Sequence, residues 1–467
     1  MNRGDGVLSK YDICRKRLRP LLLAIIISAA LIHAVPDDAA GGAGTDYIVK
    51  YKESAAWLAG GEPFDLVSEA EMIRLRDAGL LAWYEPDGEM TLLDSGSSIY
   101  YADDKWDLAL VNAEPAFEMG ALGEGVRVGV LDSGVNPVSC IADNILPGRS
   151  YIEGKDEEDT SDNYGHGTLV AALIAGRGED GYIGAAPGAL IIPLKITDGK
   201  AVTVSAVCRA IYGGIDDFDC DVLNLSLGVN SDFEALREAV EYAAEKGVVV
   251  VAAVGNNGTV GRMYPADYES VIGVGAVDQN GTVYYNSNHN ESVFLTAPGA
   301  NVKTAGKSGG YVTASGTSFS VPFVTAAAAV MRGLDPQLTP DDIASILTET
   351  ARDAGTEGLD EYYGYGILDL GACAERIAGT ADAFTHETPC EFLSAFTLVN
   401  YTDEEINCTY LLAEYDGYGT CLSVTRSQFT VPARGRMRVD PPESKYYGQF
   451  VFETGTMTPL ATARRSL

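Results

Sequence analysis

The sequence predicts an α/β protein built on a parallel sheet with helices on both faces, preceded by a small α/β unit and followed by a small all-β module. Three observations predict it. Apolar strands alternate with helical stretches from about residue 120 to 375. One of them, Val248-Val-Val-Val-Ala-Ala-Val254, is continuously apolar, as in a strand buried on both faces. Beyond about residue 380 the pattern changes to short strands separated by turn residues.

In chain order, Arg15, Lys16, Arg17 and Arg19 precede the apolar run Leu21–Ile32. That run is shorter than the ~18 residues a spanning helix needs. Residues 1–36 therefore read as a secretory signal, with Ala30 and Ala34 as candidate cleavage points; an uncleaved N-terminal anchor is the alternative. No later stretch reads as long and apolar enough to span a bilayer. Ala39–Gly44 reads as a flexible joint. Residues 45–103 form the small α/β unit. Asp46–Tyr51 alternates like a strand, Ser68–Arg76 has helical spacing behind a Ser-x-x-Glu capping box, and Leu80–Tyr84 is a second strand.

Residues 104–377 form the main domain. Val126–Leu131 is a strand. Ser231-Asp-Phe-Glu234 reads as a capping box, Phe233, Leu236 and Val240 follow on one helical face, and Gly247 marks the helix end. Residues 378–467 carry strands at Leu398–Tyr401, Thr409–Tyr415, Phe429–Val431 and Tyr447–Phe452, with Asp416-Gly417 as a turn. A sandwich is the expected arrangement.

The chain has 467 residues and a formal net charge of −33, which argues against nucleic acid and anionic membranes as partners and for a well-solvated acidic surface. Its eight cysteines are Cys14, Cys140, Cys208, Cys220, Cys373, Cys390, Cys408 and Cys421. None forms a CxxC pair, so no zinc or redox motif is present. Removal of Cys14 with the signal leaves an odd number, hence at least one free or intermolecular thiol. Cys208 and Cys220 are expected as buried free thiols. The last three can include one disulfide.

The stretch Ala314-Ser-Gly-Thr-Ser-Phe-Ser-Val-Pro322 concentrates hydroxyls ahead of an apolar helical run. A serine becomes a nucleophile only with a base and an orienter for that base. Of the four histidines, His33 lies in the signal, His289 in an Asn-rich loop and His386 near the β-module. His166, in Gly165-His166-Gly167-Thr168, is flanked by glycines that let a partner approach its ring. Alone, such a histidine is more often structural. Asp132 ends the apolar strand Val128–Leu131 ahead of Ser133-Gly134, the place of catalytic residues in parallel sheets and equally of helix caps.

Taken together, the order Asp132-Ser-Gly, His166-Gly-Thr, Gly316-Thr-Ser318 resembles the subtilisin-like serine proteases. Ser226-Leu-Gly228, Ala252–Asn256, Tyr264-Pro-Ala266, Val271–Asp278 and Ala297-Pro-Gly299 extend the resemblance over roughly residues 105–377. It implies a secreted endopeptidase in which Ser318 attacks the scissile carbonyl, His166 carries the proton and Asp132 holds the imidazole. Asn256 and the Ser318 N–H would form the oxyanion hole. An extended polypeptide substrate would add to the edge Ser226, Leu227, Gly228, with residues near Gly199 opposite. Ala252, Gly255 and Asn257 would line the specificity pocket, and Met263 would limit its depth, favouring a moderate apolar residue before the cut.

The first unit resembles the propeptides that chaperone and inhibit such proteases, through Tyr47-Ile-Val-Lys and Trp83-Tyr-Glu-Pro86. That implies a zymogen cut by its own Ser318 between about Ser95 and Trp106. Ser315 and Ser320 are then turn and helix-start residues, with Pro322 in the first helical turn. Leu169, Ser320 and Phe323 depart from the family's usual His, Ala and His. Gly176–Gly184 lacks the family's Asn-rich calcium loop. No cofactor is required for the chemistry; structural calcium stays open but without support, since the carboxylates of Lys155–Asp162 could bind it while that acidic run reads first as a solvated loop. Two other readings stay open: a binding or adhesion protein with a silent protease domain, and a maturation protease with one dedicated partner. The ligand of the β-module is unknown.

Overall fold

A computed structural model describes residues 45–59, 62–93, 97–98, 105–177 and 182–383, together with six strands between 396 and 464. The expected signal, most of the expected cleavage window, His386 and Cys390 lie outside the described residues. The chain divides into two compact units, with the boundary between Asp87 and Gly88.

In the first unit, β1 (Asp46–Tyr51) pairs antiparallel with β2 (Asp65–Ser68) and β3 (Leu81–Pro86). Helix α1 (Glu69–Asp77) starts where expected, because Ser68 accepts the Glu71 N–H as its cap. Met72 and Leu75 of α1 pack on Val49 and Leu81, which gives the unit its own apolar cluster. β2 is a strand that the sequence reading did not anticipate.

The second unit opens with β4 (Glu89–Leu92) and β5 (Ser97–Ser98), then two short helices, α2 (Trp106–Leu110) and α3 (Glu114–Glu118). The central strands follow: β6 (Arg127–Asp132), β7 (Arg149–Ser150) and β8 (Leu190–Lys195). After β9 (Ala201–Thr203) come β10 (Val222–Leu225), β11 (Leu227–Gly228), β12 (Val249–Ala253), β13 (Val271–Val277) and β14 (Leu295–Pro298). Seven of these make one sheet in the order β14-β13-β12-β10-β6-β8-β7, every pair parallel. The strand order turns back on itself at β6, and such reversals open a crevice at the strands' carboxyl ends. Beyond this sheet, β15 (Val302–Ala305) and β16 (Tyr311–Ala314) form an antiparallel pair.

Helices cover both faces, as the strand alternation predicts. α4 (His166–Ala175) and α7 (Val321–Leu334) pack with Val128, Val130, Val249 and Val251 on one face. On the other, Gly214 of α5 (Val204–Asp216) sits so close to Leu194 and Leu223 that a Cβ there would lie 2.8 Å and 3.1 Å from their methyls. α6 (Glu234–Glu245) packs beside α5. The Ser231 capping box does not form. Phe233 takes the cap position, and its N–H donates to the Tyr268 hydroxyl instead.

The stretch Thr317–Leu334 has the length and hydropathy of a membrane span, contrary to the sequence reading, but 83% of it is buried inside the fold. It is a core helix. Past α8 (Pro340–Thr350) and α9 (Leu370–Ala383), the described strands are antiparallel: a two-stranded pair, β17 (Phe396–Val399) with β20 (Arg436–Val439), and a four-stranded sheet. The latter runs β19 (Cys421–Val431), β18 (Ile406–Tyr415), β21 (Tyr447–Glu453), β22 (Pro459–Arg464).

Candidate active site

Asp132 is the last residue of β6 and His166 the first of α4. Strand end and helix start approach closely because Gly167 has no side chain: a Cβ there would stand 2.2 Å from the Gly134 carbonyl oxygen and 3.0 Å from Asp132 Cβ. The result is a buried pair. His166 Nδ1 lies 2.7 Å from Asp132 Oδ2 and 2.9 Å from Oδ1, and the two residues are 3% and 0% exposed. With a carboxylate on Nδ1, that nitrogen carries the proton and Nε2 the lone pair, the tautomer a general base needs. The Ser133 N–H donates to Asp132 Oδ1 at 2.7 Å and holds the carboxylate in place.

Behind this pair lies a second buried carboxylate, Asp162, four residues before His166 and 3% exposed. Its Oδ1 accepts from the Ser133 hydroxyl at 2.8 Å and from the Gly165 N–H; its Oδ2 accepts from Thr168 N at 2.9 Å and Thr168 Oγ1 at 2.6 Å. The Gly167 N–H in turn donates to Ser133 Oγ at 3.1 Å. Asp162 thus ties the turn after β6 to the first turn of α4, where free N–H groups favour a negative charge.

Ser318 sits in a short 3-10 turn, Thr317–Phe319, directly before α7. The ring of Phe319, its neighbour, lies 5.3 Å from the His166 ring. Ser226 Oγ donates to the Ser318 carbonyl at 2.9 Å and accepts from Asn224 Nδ2 at 3.0 Å; Thr325 Oγ1 of α7 donates to Asn224 Oδ1 at 3.0 Å. This buried polar string fixes the nucleophile loop to the end of β10. Ser315 Oγ accepts the Asn301 N–H, as a turn residue would. Ser320 is the residue before α7, its hydroxyl buried without a hydrogen bond, and Pro322 lies in the first helical turn. Gly255 and Asn256 follow β12. Gly255 is left-handed, with φ +107°, and a Cβ on it would stand 2.7 Å from Met263 Cγ.

The cleft holds a segment of the chain itself. β4 runs antiparallel between β11 and β9, with Leu92 opposite Leu227, Thr91 opposite Gly228 and Ala201, and Met90 opposite Val202. The Leu93 N–H donates to the Ser226 carbonyl at 3.1 Å, and the Leu92 N–H to the Lys200 carbonyl at 3.0 Å. The Leu93 carbonyl oxygen accepts from Asn256 Nδ2 at 2.7 Å and from the Ser318 N–H at 3.3 Å, and Ser318 Oγ lies against that same oxygen. Asn256 Oδ1 accepts from Thr317 N at 2.8 Å, which aims the amide. These are the two donors expected of an oxyanion hole, placed on a carbonyl next to the serine hydroxyl.

The residues expected to line a specificity pocket lie beside Leu93. A Cβ on Gly228 would lie 3.0 Å from Met263 Cε and 3.1 Å from Leu93 Cδ1, so the Leu93 side chain rests against Gly228 beside Met263. Met263 is buried, Ala252 is buried in β12, and Asn257 is held by its N–H on Asn288 Oδ1 at 2.9 Å. The edge expected near Gly199 is supplied by Lys200 and β9.

Four features escaped the sequence reading: the Leu92-Leu93 occupant, Asp162 with Ser133, the Asn224–Thr325 string, and Lys195. Only Asp162 had a local signal, an acidic residue one helical turn before His166. Lys195, 1% exposed, donates to the Ser161 carbonyl at 2.6 Å and pairs with Asp198 at 2.7 Å. Hydrogen bonds from Lys195 and Asn163 hold the Asp198 carboxyl down to about 2. His289 is stacked on Tyr362, with centroids 4.5 Å apart. Cys140, Cys208, Cys220 and Cys373 are buried thiols; burial pushes Cys373 up to about 12 and Cys220 higher, so neither of these two is a reactive thiolate. Among the described residues, no three His, Cys, Asp or Glu side chains converge on a cation position.

Comparison with known proteins agrees with this geometry. The family model described as the subtilase family matches residues 123–366. Subtilisin BL of Lederbergia lenta is 35% identical over 270 residues, 57% of this chain and 97% of that protein. The thermostable alkaline protease of Halalkalibacterium halodurans is 34% identical over 272 residues, 58% of this chain and 73% of that protein. Subtilisin DY of Bacillus licheniformis is 34% identical over 278 residues, 58% of this chain and 98% of that protein.

Proposed function

Because the chain belongs to the subtilase family, and is a subtilisin-like serine endopeptidase, we propose that it is a secreted zymogen that cuts its own Leu93–Asp94 bond and then hydrolyses polypeptides after apolar residues. The observation that carries this reading is the Leu93 carbonyl, held by Asn256 and the Ser318 N–H with the Ser318 hydroxyl against it. The bond lies upstream of the window expected from the sequence. A cut falls at whichever carbonyl reaches the oxyanion donors, which a change in sequence pattern does not record.

The steps are those of an Asp-His-Ser serine protease. Ser318 Oγ bonds to the Leu93 carbonyl carbon as His166 Nε2 takes the hydroxyl proton. The carbonyl oxygen becomes an oxyanion between Asn256 Nδ2 and the Ser318 N–H, and Asp132 stabilises the imidazolium. His166 then gives its proton to the Asp94 nitrogen, the C–N bond breaks, and Leu93 remains as an ester on Ser318. Water, deprotonated by His166, attacks that ester; a carboxyl group forms on Leu93 and the proton returns to Ser318 Oγ. Other polypeptides take the same path between β11 and β9. The released N-terminal unit, ending in Met90-Thr-Leu-Leu93, acts as the enzyme's first inhibitor by holding that cleft. Secretion fits the basic and apolar N-terminal segment and the name of one relative, a minor extracellular protease of Bacillus subtilis. Gly228 and Met263 favour a side chain of leucine or methionine size before the cut.

Intact-mass measurement of the purified protein tests the reading. A mature chain beginning at Asp94 is expected from the natural sequence, and uncut precursor from Ser318→Ala. A Ser318→Ala protein that still matured alone, or a natural protein that a fluorophosphonate left unlabelled at Ser318, would sink it. A peptide library is expected to show best cleavage after Leu or Met; a preference for Arg or Asp would refute the pocket assignment.

A further inference from the structure

We propose that the edge of β16 on which β5 lies is a docking strand for the leaving side of polypeptide substrates, engaging the fourth and fifth residues past the cut bond. The proposal rests on the endopeptidase reading above and extends it to a part of the cleft with no assigned role. β16 pairs on one side with β15 and on the other with β5, Ser97 opposite Ala314 and Ser98 opposite Thr313, antiparallel. Four residues past the end of β16, the same stretch of chain delivers Ser318.

Counted from Leu93, Ser97 and Ser98 are the fourth and fifth residues beyond the bond at the hydroxyl. The chain therefore marks a path on both sides of that bond. Met90–Leu92 lies between β9 and β11, Leu93 meets the oxyanion donors, and Ser97–Ser98 lies on β16. A strand added to a sheet edge is read through its main chain, so this site accepts many sequences but requires an extended backbone with free N–H groups. β16 is anchored by packing as well as by its pairing with β15 and β5. Thr313 and Ala314 are buried, Tyr311 stacks on the buried Tyr182 at 5.6 Å, and the Lys303 ammonium lies 4.8 Å from the Tyr311 ring centre. Preorganisation of this kind lets added hydrogen bonds register as affinity. After self-cleavage, Ser97–Ser98 remains part of the mature chain and competes for the edge.

The test uses two quenched-fluorescence peptide amides with the same Met-Thr-Leu-Leu-Asp-Ser-Gly core. One ends three residues past the cut and the other six. They are assayed on the mature enzyme and on a Ser97→Pro/Ser98→Pro variant, whose own segment lacks the N–H groups to pair. The longer peptide is expected to show kcat/KM higher by on the order of tenfold, from two main-chain hydrogen bonds. The gain should be larger in the proline variant, survive alanine at the fourth and fifth positions, and vanish when both nitrogens there are methylated. Equal kcat/KM for the two lengths in both enzymes, or a gain that survives methylation, would overturn the docking strand while leaving the endopeptidase reading intact. Failure to cleave even the short peptide would sink that reading, and this one with it.

Discussion

Asn256 shows how far one side chain can be argued. Its amide nitrogen donates to the Leu93 carbonyl and its oxygen accepts from Thr317 N, so it holds the Leu93 carbonyl and the Ser318 loop together. Asn256→Ala is expected to lower kcat by about 10²–10³ with little change in KM, the magnitude already known for the corresponding asparagine of subtilisin. Asp162 is a different case, since it acts only through other residues. It accepts from Ser133, Gly165 and Thr168, and an asparagine in its place would turn an NH₂ toward at least one of these donors. Asp162→Asn is expected to cost on the order of tenfold in kcat at unchanged KM, the effect of one misaligned buried contact. Stopped-flow and steady-state assays with a Leu-directed substrate would check both. An Asp162→Asn enzyme with normal kcat would show that the second carboxylate does not position the first.

Elements differ in how openly the sequence announces them. α1 and its Ser68 cap are legible because both signals lie within one turn of chain. The Ser231 box has the same spacing and does not form: Phe233 stands at the cap position and its N–H donates to Tyr268, distant in sequence. The loop before α4 is held from β8, where Lys195 pairs with Asp198. Asp198 is depressed to about 2 in the folded protein, first by its hydrogen bond from Lys195. Its contribution to stability is therefore complete above the unfolded carboxyl value of ~3.9 and lost as pH falls through about 2. Asp198→Asn is expected to lower the melting temperature at neutral pH, and the gap from the natural protein should close as pH drops from ~4 to ~2. A gap that stayed constant over that range would refute the linkage. Leaving Lys195 buried without its carboxylate adds to the neutral-pH loss.

For the whole molecule, the consequence of β4 and Leu93 lying in the cleft of the same chain is kinetic. The Leu93 carbonyl and the Ser318 hydroxyl are already together, so the self-cleavage proposed above would be an intramolecular event. The half-time of precursor cleavage is expected to stay the same over a tenfold dilution, read by gel or mass spectrometry. A half-time that lengthened in proportion to dilution would mean that one molecule matures another. The net charge of −33 works in the same direction, since like-charged molecules associate poorly at low salt.

The sequence by itself determined the parallel α/β fold and singled out Asp132, His166, Ser318 and Asn256 as candidates. Each of these rests on a short motif whose chemistry is local: a carboxylate at a strand end, a histidine between glycines, a serine ahead of a helix. Only the tertiary structure decided what fills the cleft and where the chain meets its own hydroxyl. Those depend on backbone partners brought together from far along the chain, Leu93 with Asn256 and Ser318, Ser97 with Ala314. A main-chain N–H or carbonyl is the same in every residue type but proline, so no side-chain pattern records which two will meet.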